Sequence, residues 1–210
     1  MRVLPIAILV AWTSLAAAAA ADAPPISFDG QDYSLNYEDQ ATLPDGQPGD
    51  GIAEFTLPGE TVQDWSKLFS FYSYPEMGDD PVAAVEAVGK AVKENNKDAN
   101  FAIVVNDKTG EAIIDFLTWA PGSDVMEFNV FKYAQAADGR GLVAMQYARH
   151  IKLGDIDVEG MRELRATSVA NMAATDMTLA QKYFAAKRAR SASNDRPGEA
   201  RALARAGRTR

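Results

Sequence analysis

Cysteine is absent from the 210 residues, and histidine occurs once, at His150. The first absence excludes disulfides, thiolate metal sites, a cysteine nucleophile and a lipidated N-terminal cysteine. The second excludes multi-histidine metal centres. No Gly-x-Ser-x-Gly elbow occurs, so the usual serine-hydrolase turn is missing as well. Bases are scarce through most of the chain. Residues 22–186 hold 12 Lys and Arg against 27 Asp and Glu, a balance of −15, whereas residues 187–210 hold eight bases against two acids, a balance of +6. An acidic body excludes a general nucleic-acid binder, because such binding depends on neutralising phosphates.

Residues 1–21 read as an address. Arg2 supplies a short charged start, residues 3–12 are almost continuously apolar, and an alanine run ends at Ala21 before Asp22. That pattern predicts a secretory signal cleaved after Ala20 or Ala21, leaving the product in the periplasm or medium. Residues 22–187 then form one domain by length, large enough to bury a core. Residues 188–210 are rich in Arg, Ala, Ser and Gly, with almost no large apolar side chain. Such a composition predicts a disordered basic tail.

Within the domain, residues 26–37 alternate in two stretches around Asp29-Gly30, a hairpin pattern. Residues 38–51 are rich in turn formers and predict a long loop. A short strand follows at 53–57, and an aromatic strand at 65–74 that Pro75 stops. Asp80-Pro81 opens a helix with Val82, Val85, Val88 and Val92 in one stripe. Four strands separated by short turns follow at 101–105, 111–119, 125–136 and 142–151, a meander. Residues 158–187 are helical in two pieces, with Thr178 and Gln181 patterned to restart the helix. The expected fold is α+β, an antiparallel sheet that includes a four-strand meander, packed with two main helices on one face.

Phe55-x-Leu57-Pro58-Gly59-Glu60-Thr61, followed by Trp65-Ser66-x-Leu68 and the helix–meander–helix order, resembles the PsbP/Mog1-like class of small exported bacterial proteins. The resemblance covers about residues 26–188. It implies a largely non-catalytic domain that docks on partners, and it transfers no site residue.

The chemistry-bearing residues are few. Asp155, Asp157 and Glu159 fall at the first half of a calcium-loop spacing, but the position of the bidentate acid is Ala166. Asp157 is therefore expected to cap the last helical region. Met77, Met126, Met145, Met161, Met172 and Met177 stand at apolar-stripe positions, where methionine fills gaps in a core, so no metal or other cofactor is expected. Asp115 lies in an apolar strand between Ile113 and Leu117. Facing inward it needs a partner, and Arg149 on another strand is the expected one. His150 with Asp115 is the only basis for a carboxylate-based hydrolase. Of the aromatic strand, Trp65, Phe69 and Phe71 share one parity and Tyr72 and Tyr74 the other, so one set enters the core and the other can meet a ligand.

The expectation is a non-enzymatic exported domain that binds a small ligand or docks an envelope protein on an open sheet face. Tyr72, Tyr74, Asp115, Arg149 and His150 are the candidate residues. The alternatives are the hydrolase and a surface-association module whose Arg201, Arg205 and Arg208 contact anionic surfaces.

Overall fold

The computed structural model describes residues 25–194, with side chains as far as Lys187. The signal-like segment 1–21 and Arg201, Arg205 and Arg208 lie outside the described residues.

The chain enters through the expected hairpin. Strand β1 (Ile26–Phe28) and β2 (Gln31–Thr42) flank Asp29 and Gly30, both at positive φ (51° and 68°). Positive φ at both central residues matches the right-handed twist of the two strands, and Asp-Gly accepts it. Next come β3 (Pro48–Thr56), β4 (Lys67–Tyr74) and helix α1 (Pro81–Asn95). The Asp80 carboxylate accepts from the backbone N–H groups of Val82 and Ala83, which settles α1's start. Strands β5 (Phe101–Val105), β6 (Ala112–Trp119), β7 (Val125–Gln135) and β8 (Leu142–Lys152) form the predicted meander. Helices α2 (Val158–Ala174) and α3 (Thr178–Asn194) complete the described chain.

All eight strands join one antiparallel sheet in the order β1-β2-β3-β4-β8-β7-β6-β5. The sheet is thus twice the predicted meander, and strands dominate the α+β fold. The long loop expected at 38–51 is wrong. Strand β2 runs on to Thr42 and β3 begins at Pro48, leaving residues 43–47 as the turn. Two of the glycines read there as turn formers do strand work. A Cβ on Gly51 would stand 2.7 Å from the Phe184 ring, so this glycine lets α3 close on β3. Gly141 is the opposite case. It turns from β7 to β8 at φ 72°, and a Cβ there would meet the Tyr74 carbonyl oxygen at 2.1 Å.

The helices do not share one face. Helix α1 packs on β5, β6 and β7 from one side, and α2 and α3 pack on β6, β7, β8 and β4 from the other. The reason lies in two apolar parities. Val85, Val88 and Val92 meet Ile114, Phe116 and Tyr133 on the α1 face. Phe55, Phe69, Phe71, Val130, Met145 and Tyr147 meet Met172, Met177 and Phe184 on the other. Burying a side chain of this size contributes about 1.5–3 kcal/mol. Met145, Met172 and Met177 are therefore core residues. Asp157 caps α2 by accepting from the Gly160 N–H at 2.7 Å. The start of α3 differs from the capping box predicted: Asp176 accepts from the Thr178 N–H and hydroxyl, and Gln181 donates to the Gln135 carbonyl. No described helix is long and apolar enough to cross a membrane.

Candidate ligand-binding face

Because side chains alternate along a strand, the register sorts the candidate residues. Tyr72, Tyr74 and His150 lie on the α1 face, and Asp115 and Arg149 on the α2/α3 face. They do not form one site, so the grouping of Asp115 with His150 as a hydrolase centre is corrected by the fold.

The expected Asp115–Arg149 pair is also corrected. Asp115 on β6 stands level with Val130 and then Tyr147 on β8, two strand spacings away. That is about 10 Å at the usual strand separation. Its partner is Arg165 of α2, whose Nε and Nη2 donate to the two carboxylate oxygens at 2.5 and 3.2 Å. Burial raises the Asp115 pKa, and the Arg165 hydrogen bond and charge oppose that rise. The pair borders a cavity of about 370 Å³ with Leu117, Met126, Phe128 and Met161 in its walls. The one carboxylate of this cavity that reaches into the sheet is engaged on both oxygens by a guanidinium. It pins α2 to β6.

Arg149 serves a different cluster. It lies near Tyr33 and Tyr147, both fully buried, and Asp29. Burial, then the Asp29 charge, push the Tyr147 hydroxyl up to about 12, and Arg149 offsets part of this. Lys67 stands 3.8 Å from Asp29, and Asn171 of α2 donates to the same carboxylate. These contacts tie the β1–β2 hairpin to β4 and α2.

The α1 face is the more informative one. Helix α1 lies over β5–β7, and beside it the same face continues across β8, β4 and β3. Here a chain of hydrogen bonds crosses three strands. The Tyr72 hydroxyl donates to Gln146 Oε1 (2.6 Å), Gln146 Nε2 donates to Asn129 Oδ1 (2.6 Å), and Asn129 Nδ2 donates to Glu127 Oε1 (2.9 Å). Glu127 Oε2 is 3.5 Å from His150 Nε2. His150 Nδ1 bonds the Trp65 carbonyl at 2.8 Å, and its ring stacks on Trp65 with centroids 3.8 Å apart. A carbonyl can only accept, so Nδ1 carries a proton. Every amide and hydroxyl in the chain points its donor toward Glu127, and bonds aligned in this way polarise one another. Trp65 precedes β4 and sits with His150, apart from Phe69 and Phe71, whose parity it was expected to share.

Around the Tyr72 end lies an aromatic floor. Tyr72 and Tyr74 stack at 5.8 Å, and the Phe131 centroid is 6.0 Å from that of Tyr72. Both tyrosines are half-buried. Burial first, and then the Glu54 charge, raise the Tyr72 hydroxyl pKa. Glu54 on β3 is itself half-buried, and among the described residues it has no ion-pair or hydrogen-bond partner. Desolvation alone lifts its carboxyl from the usual 4.5 up to about 7. Opposite it in register on β4 is Ser70. The Ser70 hydroxyl is fully buried beside that of Tyr72, and its interaction with the phenol opposes the rise in the Tyr72 pKa.

Glu54 makes a pH-dependent contribution to stability. A raised carboxyl pKa means the folded state holds the proton more tightly, so stability falls as pH rises from 4.5 to about 7. At 1.36 kcal/mol per pKa unit, discounted for partial exposure, roughly 1–2 kcal/mol is at stake. We expect Glu54→Gln to raise the urea midpoint by that equivalent at about pH 8 and to leave it unchanged at about pH 5. Equal effects at both pH values contradict the assignment.

Glu54, Ser70, Asn129, Gln146 and Glu127 are absent from the sequence-derived candidates. Their signal is a polar residue set inside an apolar strand, as in Phe69-Ser70-Phe71. Alternation alone reads such a residue as solvent-facing, and only the register aligns them into one stripe. Among the described residues, no three His, Asp or Glu side chains gather as metal ligands do.

No curated protein matches the chain. A family model does match, over residues 21–181, and it describes a family of uncharacterised proteins. That match spans most of the 210 residues, so the chain belongs to this family.

Proposed function

We propose that this protein is an exported, non-enzymatic binding domain whose ligand seats on the β3–β4–β8–β7 part of the α1 face. Export rests on the charged, apolar and alanine-rich order of residues 1–21. Kinship with the PsbP/Mog1-like proteins, proposed on the motif at 55–68 and the order of elements, accords with a role in docking. The observation that carries the binding reading is Glu54. A half-buried carboxylate without a partner costs stability, and a site that recognises a ligand is where such a cost is expected. The aromatic floor beside it and the hydrogen-bonded row running to His150 give the face both apolar contact and fixed polar groups, as ligand sites require.

The test is side-chain NMR on the full chain. Asn and Gln amide signals are followed while a set of small amines, acids, sugars and aromatics is titrated in. The expected result is a set of ligands that shifts Gln146 and Asn129 together. Shifts confined to residues around Asp115 and Arg165 would move the site to the α2–β6 cavity and refute the proposal.

A further inference from the structure

The two faces of the sheet differ in charge as well as in cover. On the α2/α3 face stand Lys67, Lys132, Arg149 and, reaching in from α2, Arg165. On the α1 face, the outward positions are Asp50, Ile52, Glu54 and Thr56 of β3, and Leu68, Ser70, Tyr72 and Tyr74 of β4. They continue through Ala144, Gln146, Ala148 and His150 of β8 and Glu127, Asn129, Phe131 and Tyr133 of β7. Among these no lysine or arginine occurs. The nearest base in line is Lys152 at the end of β8, and it pairs with Asp124 at 3.7 Å. His150 is engaged by Glu127. The phenols register this imbalance: after burial, Tyr72 is pushed up by Glu54 and Glu127, Tyr37 by Asp39 and Glu54, and Tyr74 by its tyrosine neighbours and Asp50, with no cation opposing any of them.

We infer that the ligand of this face is an organic cation, its ammonium head seated against the Tyr72 and Phe131 rings with Glu54 as counter-ion. The inference rests on the face being the binding surface, as proposed above. Three features converge on it. Glu54 is a carboxylate without a partner. The centroids of the two rings stand 6.0 Å apart with their planes tilted by 37°, near enough for one cationic group to meet both. Tyr72 gives its proton to Gln146, which leaves the phenol oxygen as an acceptor. An anionic ligand would find Glu54, Glu127 and Asp50 and no cation to offset them. A neutral apolar ligand would desolvate Glu54 further and drive it to take up a proton, whereas a cation lets the carboxylate stay charged.

The experiment titrates the full chain calorimetrically with choline and, separately, with 3,3-dimethyl-1-butanol, its uncharged isostere. Both are run at about pH 8, where Glu54 is ionised, and at one fixed ionic strength. Choline is expected to bind at least about tenfold more tightly than the isostere, a ratio within the range of a desolvated cation–π contact with a counter-ion. Glu54→Gln is expected to weaken choline about tenfold, while circular dichroism confirms that the variant stays folded. Asp107→Asn removes the same charge from the β5–β6 turn and is expected to leave choline binding unchanged. If Asp107→Asn weakens choline as much as Glu54→Gln does, the attraction is to overall charge and the inference fails. If the isostere binds as tightly as choline, the face is a binding surface but not for cations. If neither binds, the inference fails, and the NMR titration decides separately whether the face binds anything.

Discussion

Lys132→Met is expected to lower unfolding stability by about 3 kcal/mol, although methionine nearly matches lysine in length. The Lys132 side chain is 3% exposed, on the β7 face that meets α2. Its ammonium donates to the carbonyls of Ala173 (3.1 Å) and Thr175 (2.8 Å) and stands 3.2 Å from the Glu111 carboxylate. The last carbonyls of a helix have no partner within it and carry the negative end of its dipole. Lys132 therefore holds the C-terminal end of α2 onto the sheet with its charge. Methionine keeps the packing and removes the donors, so the carbonyls stay desolvated and unpaired. Glu111, only partly buried, can regain water, and Glu111→Gln is expected to cost about 1 kcal/mol or less. Chemical denaturation of the two variants checks both values. Equal losses would mean that the ion pair, rather than the helix end, is what Lys132 serves.

Arg165→Ala is expected to cost more than Asp115→Ala, about 2–4 against about 1–2 kcal/mol at neutral pH. The Asp115 side chain is 6% exposed and that of Arg165 47%. Removing the acid frees a guanidinium that water can reach. Removing the base strands a carboxylate inside the sheet, with burial already raising its pKa. Without Arg165 that pKa climbs further, so the Arg165→Ala deficit should shrink as the pH falls and Asp115 takes up its proton. The double variant should lose less than the sum of the single ones, since the two groups act as a unit. Urea unfolding of all four proteins at two pH values measures this. Additive losses that do not change with pH would show that the two side chains contribute separately.

Features set by neighbours in the chain were legible in the sequence. The Asp29-Gly30 hairpin, the Asp80-Pro81 start of α1 and the β5–β8 meander all depend on local turn or cap chemistry, and all are present. The 38–51 segment misled because Gly49 and Gly51 look like turn formers, whereas Gly51 is small so that Phe184 can approach from 133 residues later in the chain. Asp115 was legible as a buried acid needing a base, but not with which base, since Arg149 and Arg165 satisfy the same chemistry and only the strand spacing separates them. Lys132 carried little signal, because a lysine in a strand normally faces water. Tyr72 and His150 were found singly. The amides and carboxylate that join them depend on the pairing of β7 with β8 and of β8 with β4, which no local pattern encodes.

That last pairing has a consequence for how the molecule is assembled. Strands β1–β4 are neighbours in sequence and in space, as are β5–β8, and the halves meet where β4 pairs with β8. Each half can zip up through connections of ten residues or fewer, whereas the seam must close a long stretch of chain, including α1, and bears most of the loop-closure entropy. The hydrogen bond from Tyr72 to Gln146 spans this seam. Glu54, Ser70 and Tyr72 belong to one half, and Gln146, Asn129, Glu127 and His150 to the other. Neither half carries the site alone, so the binding face comes into being only when the most distant contact of the sheet is made.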